Sequence, residues 1–303
     1  MTAETHRLTV GPDDAGLRLD QLLGKRIPGL SRRRARVLID LGGVFVDGAR
    51  VKVASRPLRP GQKVEAHLGG ALDRASGLGK EARDRDAAAL PDHRIVFEDD
   101  DVIVVDKPAG LVTAPTPESD RGNLLDLLQR RPGGGTVYLI HRIDRPTSGL
   151  LVFGKTDLAN RVLGERFAAH DIEREYRAVV AGVIADETQT IDRPIDKKRA
   201  VTHVTVVERF ADATLIAARL ETGRTHQIRI HLAGLGHPLL GDDRHGGEVA
   251  RMFASPPTRL ALHAAVLGFA HPATGAPLRF ESALPEPLAS WIASLRGATV
   301  EPA

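Results

Sequence analysis

His141-Arg142-Ile143-Asp144-Arg145-Pro146-Thr147-Ser148-Gly149 runs straight into Leu150-Leu151-Val152-Phe153. A continuous apolar run bounded by a Pro- and Gly-bearing turn reads as a strand buried on both faces. A strand that follows at once would hold the charged loop before it rigidly. In that loop Asp144 lies between Arg142 and Arg145, and neighbouring arginines favour the charged form of a carboxylate. An ionised carboxylate can serve as nucleophile or electrostatic stabiliser, but not as a general acid near neutral pH. A structural Asp–Arg pair or a turn cap fits the same residues, so this segment alone leaves both readings open.

Two further stretches concentrate polar residues beside apolar ones. Glu98-Asp99-Asp100-Asp101 precedes the strand Ile103-Val104-Val105 and the rigid turn Asp106-Lys107-Pro108-Ala109-Gly110-Leu111, a pattern that an ordinary solvated turn also gives. In Leu220-Glu221-Thr222-Gly223-Arg224-Thr225-His226-Gln227-Ile228-Arg229-Ile230-His231-Leu232, Thr225 can cap a helix to about Ala233, with Ile228, Leu232 and Leu235 inward. The alternation Ile228/Ile230/Leu232 fits a strand as well. His226 and His231 are five apart and face different sides in either case, so they make a poor metal pair. Arg224, at a glycine-flanked bend, can reach another loop. Strands are expected at Glu175–Val183, Val201–Glu208 and Leu215–Glu221, within an α/β domain spanning residues 93–296.

The N-terminal part has a different texture. After a tail or edge strand at 1–12, a compact unit at 13–68 opens with Leu17, Leu19, Leu22 and Leu23 on a short amphipathic helix. Ser31 caps a second helix, Arg32 to Leu41, whose apolar face is Val37, Leu38 and Leu41. Gly42-Gly43 ends it. Val44-Phe45-Val46, Asp47-Gly48 and Arg50-Val51-Lys52-Val53 read as a hairpin, and Lys63 to Leu68 as a strand. Arg32, Arg33, Arg34 and Arg36 crowd the helix end where the macrodipole disfavours positive charge. Either a phosphate-bearing partner sits there or the face is a solvated basic one. Residues 69–92, rich in Gly, Ala and charge, read as a flexible linker, and 297–303 as a tail.

Composition narrows the chemistry. The chain has no cysteine, which excludes disulfides, thiolate catalysis and Cys-ligated zinc. It has no apolar run long enough to span a bilayer and no signal-peptide core at its start, so a cytoplasmic protein is expected. The net charge of +3 permits a polyanionic partner without requiring one.

The motifs, taken together and in order, resemble the RluA-type family of pseudouridine synthases. The central family motif matches His141-Arg142-Ile143-Asp144-Arg145-x-Thr147-Ser148-Gly149-Leu150-Leu151. The second matches Leu220-x-Thr222-Gly223-Arg224-Thr225-His226-Gln227-Ile228-Arg229-x-His231-Leu232. Gly236-His237-Pro238-Leu239-Leu240-Gly241-Asp242, Leu262-His263-Ala264 and Phe269-x-His271-Pro272-x-Thr274-Gly275 follow as in the family, and Glu175-Tyr176-Arg177-Ala178 matches its tyrosine-bearing strand. Two departures stand out. His245 occupies the place of an aromatic, and the segment from Asp192 to Val204, carrying Lys197, Lys198 and Arg199, is shorter than in many relatives. The frame from Leu17 to Leu68 resembles the S4 RNA-binding domain.

The resemblance implies an α+β fold: a mixed, mostly antiparallel catalytic sheet plus a small ααβ-type RNA-binding domain. It implies a cofactor-free and metal-free isomerase that converts specific uridines to pseudouridine, with Asp144 as catalytic nucleophile, Arg224 as its ion-pair partner and Tyr176 against the extruded base. Tyr176 also fits a core aromatic with a hydrogen-bonded hydroxyl, which does not exclude the same position. RNA contacts are expected from Arg32, Arg33, Arg34, Arg36, His141, Arg142, Arg145, His226 and Arg229. Large-subunit ribosomal RNA is the favoured partner, with transfer RNA as the alternative; no membrane or small-molecule cofactor is involved, and the chain is expected to be a monomer. Two rivals remain: a glycosidic-bond hydrolase, which would want a second carboxylate, and a non-catalytic RNA-binding or ribosome-assembly factor.

Overall fold

A computed structural model describes residues 4–68, 93–115, 122–251 and 253–297. The expected linker at 69–92 and the residues beyond 297 lie outside the described residues. The chain divides into two compact units, 1–90 with 114–126, and 91–113 with 127–303. Among the described residues no helix is long and apolar enough to cross a membrane.

In the first unit, β1 (Glu4–Thr9), α1 (Leu19–Arg26), α2 (Arg32–Asp40), β2 (Val44–Val46), β3 (Ala49–Arg50) and β4 (Lys63–Leu68) follow one another. The strands form one antiparallel sheet in the order β1-β4-β2-β3. Thus residues 4–9 form an edge strand. Asp47 (φ 52°) and Gly48 (φ 78°) both take the left-handed backbone that a tight hairpin needs. Asp47 is held there by accepting the Lys63 N–H at 2.8 Å. Ser31 caps α2 through its side chain, as expected. The buried stripe of α2 is Ala35, Leu38 and Ile39, set at i, i+3, i+4. Leu41, placed on the apolar face from sequence, lies off that stripe and is 50% exposed. The second hairpin strand is also shorter than expected and ends at Arg50.

The second unit is built on β5 (Arg94–Glu98), β6 (Val102–Lys107), β7 (Tyr138–Leu139), β8 (Ser148–Gly154), α3 (Asp157–Ala168), β9 (Glu173–Ala181), β10 (Thr188–Asp192), β11 (Val201–Arg209), β12 (Ala213–Leu220), α4 (Gln227–Gly234), β13 (Leu262–Ala270), β14 (Pro277–Glu281) and α5 (Glu286–Gly297). The sheet runs β10-β11-β12-β9-β13-β8-β6-β5, with β14 on β13 and β7 on β8. Every pairing is antiparallel except β13 with β8. This is the mixed, mostly antiparallel sheet expected. One face packs Val104, Val152 and Leu267 with Ala159 and Leu163 of α3. Another cluster packs Val179 and Leu215 with Leu288 and Ile292 of α5.

All seven residues of β8 are buried, and its start is pinned. Gly149 has φ +115°, and a Cβ there would stand 2.2 Å from the Ala264 carbonyl oxygen of β13. Only glycine fits so close a backbone approach. Beside it, Ser148 Oγ is hydrogen-bonded to His263 Nδ1 at 2.8 Å and accepts from Arg259 Nη2 at 2.8 Å. The Thr147-Ser148-Gly149 turn therefore fixes where the preceding loop emerges.

Candidate active site

The loop bearing Asp144 is clamped from its other side by the turn after β6. Thr113 Oγ1 donates to the Ile143 carbonyl at 2.8 Å. The Gly110 N–H donates to the Arg145 carbonyl at 2.8 Å, and Arg145 Nε returns a bond to the Gly110 carbonyl at 3.0 Å. Lys107, fully buried, donates to the carbonyls of Leu111 (2.8 Å), Pro108 (2.9 Å) and Arg145 (3.3 Å). Burial, with the charge of Arg259, pushes the Lys107 ammonium down to about 7, while Asp144 works the other way. Three carbonyl acceptors match the three donors of an ammonium. The segment that sequence alone allowed to be a plain solvated turn thus supports the loop of Asp144.

Asp144 faces a cavity of about 580 Å³. Its Oδ2 is 3.3 Å from Arg229 Nη1 and 3.7 Å from His226 Nε2. Arg229, on α4, is simultaneously gripped by the buried Asp242: Nη2 to Oδ1 at 2.6 Å and Nε to Oδ2 at 2.8 Å. Burial alone would weaken the Arg229 charge, but the bonds and charges of Asp242 and Asp144 outweigh it and raise its pKa. Asp242 also accepts the backbone N–H groups of Arg244 and His245. For it too burial opposes the charge, and the Arg229 bond and those amides outweigh burial and hold the carboxyl below its usual range.

Arg224 was the expected partner of Asp144. It does not make that pair: its Nε donates to the Arg199 carbonyl at 2.9 Å, and it lines the cavity wall. Arg229, assigned from sequence to RNA contact, is instead the buried partner of Asp144, with its side chain only 7% exposed. α4 accounts for the exchange. It starts at Gln227, not after Thr225, because His226 takes the left-handed conformation (φ 55°) as N-cap. Gln227 fixes the bend by donating to the Val201 carbonyl and accepting from the Arg224 N–H and Thr222 Oγ1. Arg229 then points inward from the first turn of the helix. The signal for it was present in sequence as Gly241-Asp242, a match whose carboxylate was given no partner.

His226 Nδ1 and His245 Nε2 share a hydrogen bond of 2.8 Å. His245 therefore packs on His226, which lines the cavity. Burial lowers both pKa values; in His226 the charge of Asp144 opposes this. His231 lies elsewhere, bonded to Thr202 and Arg193, so the two histidines of the motif are apart, as their spacing demands. Among the described residues no group of three or more acidic or histidine side chains converges to hold a metal ion.

Tyr176, on β9, lines the cavity with His141, Arg142, Thr147, Phe167, Arg174 and Leu262. Burial raises its hydroxyl pKa. His141 was expected to touch RNA. It lines the cavity, its Nε2 accepts the Val152 N–H at 3.1 Å, and its ring stacks on Phe167 with centroids 4.3 Å apart. Burial, helped by the charge of Arg174, pushes it down to about 3. Its imidazole is thus a neutral prop for β8. Arg142 and Arg145 remain exposed.

The four arginines of α2 also sort differently from expectation. Asp20, fully buried, bonds Arg36 Nε at 2.7 Å and Arg18 Nε at 3.1 Å, and lies 3.6 Å from Arg32 Nη2. Much of the charge crowding is answered inside the unit. Arg33 is exposed.

The description "RNA pseudouridylate synthase" matches residues 101–234, and "S4 domain" matches 17–64. An RNA pseudouridine synthase of Bacillus subtilis, YlyB, described as uncharacterized, is 37% identical over 95% of this chain and 97% of its own length. Ribosomal large subunit pseudouridine synthase D of Pseudomonas aeruginosa is 38% identical over 92% of each chain. Among solved structures, the human RNA pseudouridylate synthase domain containing 1 superposes with a TM-score of 0.54 at 23% identity, over 71% of this chain and 99% of that one. At that identity the likeness concerns the fold.

Proposed function

Since the chain belongs to the RluA-type RNA pseudouridine synthase family, and so is an isomerase of RNA uridine, we propose that Asp144 is its nucleophile and large-subunit ribosomal RNA its substrate. The observation that carries the assignment of Asp144 is its setting: a carboxylate at the wall of a large cavity, on a loop pinned from two sides, with one oxygen tied to a buried arginine.

In this reading the target uridine leaves its stack, which costs a few kcal/mol, and its base lies against Tyr176, which returns roughly 1–3 kcal/mol by stacking. The carboxylate of Asp144 attacks or stabilises the sugar carbon as the bond from that carbon to uracil nitrogen breaks. The uracil turns and carbon 5 bonds to the sugar carbon, displacing the Asp144 carboxylate where it has bonded there, and the proton of carbon 5 leaves as the freed nitrogen gains one. Arg229 orients the carboxylate throughout. Favouring ribosomal RNA are the relatives named for the ribosomal large subunit. The N-terminal S4 domain would add a second contact and raise the effective concentration of substrate.

The hydrolase rival needs a second carboxylate as acid or base. The nearest further carboxylate, Asp242, is buried off the cavity wall and held ionised by Arg229 and two amides, which is a poor state for a general acid. The test is to map pseudouridine across ribosomal and transfer RNA in cells lacking the gene, complemented by wild type or Asp144→Asn. Loss of a ribosomal site that only wild type restores is expected. An unchanged map would defeat the proposal, and loss confined to transfer RNA would move the substrate.

A further inference from the structure

Arg174 is anomalous in this molecule. It is 8% exposed, lines the cavity of Asp144, and has no carboxylate within ion-pair distance among the described residues. Its Nε is buried without a hydrogen-bond partner. Nη2 reaches only the carbonyls of Leu220 (3.4 Å) and Glu221 (3.5 Å), both at the long limit of a hydrogen bond. The guanidinium lies 5.5 Å from the Phe167 ring centroid, which offsets part of its burial but supplies no counter-charge. A buried cation left unpaired is costly, and such groups are ordinarily paired. The neighbouring buried arginine, Arg229, has two carboxylates; Arg174 has none.

Its surroundings leave an anion room to reach it from the cavity of Asp144. Arg174 and Tyr176 are two apart on β9, so they share a face of the strand about 6–7 Å apart along it. A base lying on Tyr176 brings its own backbone within that reach. At Gly223 a Cβ would come 3.1 Å from Arg174 Nη1, so the glycine leaves the chain free to approach that nitrogen. His170, which lines the same cavity, feels the charges of Arg174, Arg224 and Arg199; burial first and then these charges lower its pKa. Arg174, His170 and Leu220 also line a second cavity of about 600 Å³, so Arg174 stands where the two cavities meet.

We propose that Arg174 is a phosphate seat, the missing counter-ion being a backbone phosphodiester of the RNA at the extruded uridine. The inference rests on the catalytic reading above for what enters the cavity, but it makes a separate claim about binding. Arg174 is a binding residue in this scheme. It orients the nucleotide and takes no part in bond making.

The decisive comparison uses Arg174→Met and Arg174→Lys in the full chain, with a large-subunit ribosomal RNA transcript carrying tritium at uracil carbon 5. Three quantities are read: Tm without RNA, the salt dependence of transcript binding, and tritium release. A phosphate seat predicts that Arg174→Met folds with a Tm equal to or above wild type, since it removes an unpaired buried charge. The slope of log K against log salt should shrink by about one phosphate's worth. Tritium release, as kcat/KM, should fall roughly ten- to a hundred-fold, the value of a charge-assisted hydrogen bond. Arg174→Lys should keep the salt slope. A lower Tm or failure to fold in Arg174→Met, or an unchanged salt slope, overturns the proposal. If wild type itself binds but releases no tritium from any transcript, the catalytic reading fails while the binding result still decides the seat.

Discussion

Arg229 holds Asp242 with two of its nitrogens, at 2.6 and 2.8 Å, and offers Asp144 the remaining one at 3.3 Å. The tighter pair is the structural one, and the looser pair sits at the cavity. Asp242→Asn should therefore damage more than the bond it removes, because a buried guanidinium loses its main partner. The expected loss is about 3–5 kcal/mol of stability, with tritium release from RNA falling further than Asp242→Asn folding alone accounts for. Denaturant unfolding beside single-turnover rates checks this. Wild-type stability in that variant would refute the division of roles.

The clamp on the Asp144 loop predicts a separation of effects. Thr113→Val removes one donor to the Ile143 carbonyl and should cost roughly 1–3 kcal/mol, the range for an orphaned buried acceptor. Its kcat should fall with little change in KM, since the loop is misplaced while the RNA-facing surface stays intact. A rise in KM alone would place Thr113 in substrate binding.

Acid should destabilise the fold through His141. Its pKa is about 3 in the folded protein against 6.5 for the free group, so below pH 6.5 the unfolded chain binds a proton that the native one does not. Stability is then fully present above that pH and falls as pH drops toward 3, by at most roughly 1.4 kcal/mol per pH unit. Urea midpoints across this range should fall less steeply for His141→Gln, which keeps an acceptor for the Val152 N–H. Parallel curves would acquit His141.

On α2, Arg33 and Arg36 should behave in opposite ways. Arg33→Ala, at an exposed position, should lessen the salt dependence of RNA binding and leave stability alone. Arg36→Ala, which removes the 2.7 Å bond to buried Asp20, should destabilise the N-terminal unit. Thermal unfolding and filter binding of both variants separate a phosphate contact from an internal ion pair.

How much of this was legible in sequence differs by element. The buried strand β8 was readable because a short, unbroken apolar run set between turn residues fits little besides a strand covered on both faces. The Asp47-Gly48 hairpin was readable because its turn type demands those residues. The motif around Asp144 located the cavity. What escaped were the partnerships. Arg224 and Arg229 sit five apart in one motif, and which of them turns inward depends on a left-handed histidine and on the bonds of a buried glutamine, neither visible as periodicity. Similarly, a row of arginines on α2 gives no hint that a buried aspartate twelve positions before Arg32 answers two of them. Leu41 failed for a simpler reason: one position along a helix turns a side chain by more than a quarter circle.

Two carboxylates share the single guanidinium of Arg229, so that trio carries a formal excess of one negative charge, and Asp144 presents it to the cavity. Taken alone, such a charge would repel a polyanion. The walls supply the balance, with Arg142, Arg174 and Arg224 standing around Asp144. In the catalytic reading proposed above, approaching phosphates would meet these arginines, and a sugar carbon gaining positive character would meet the carboxylate of Asp144. That opposition of charge would sort backbone from sugar before any base is read.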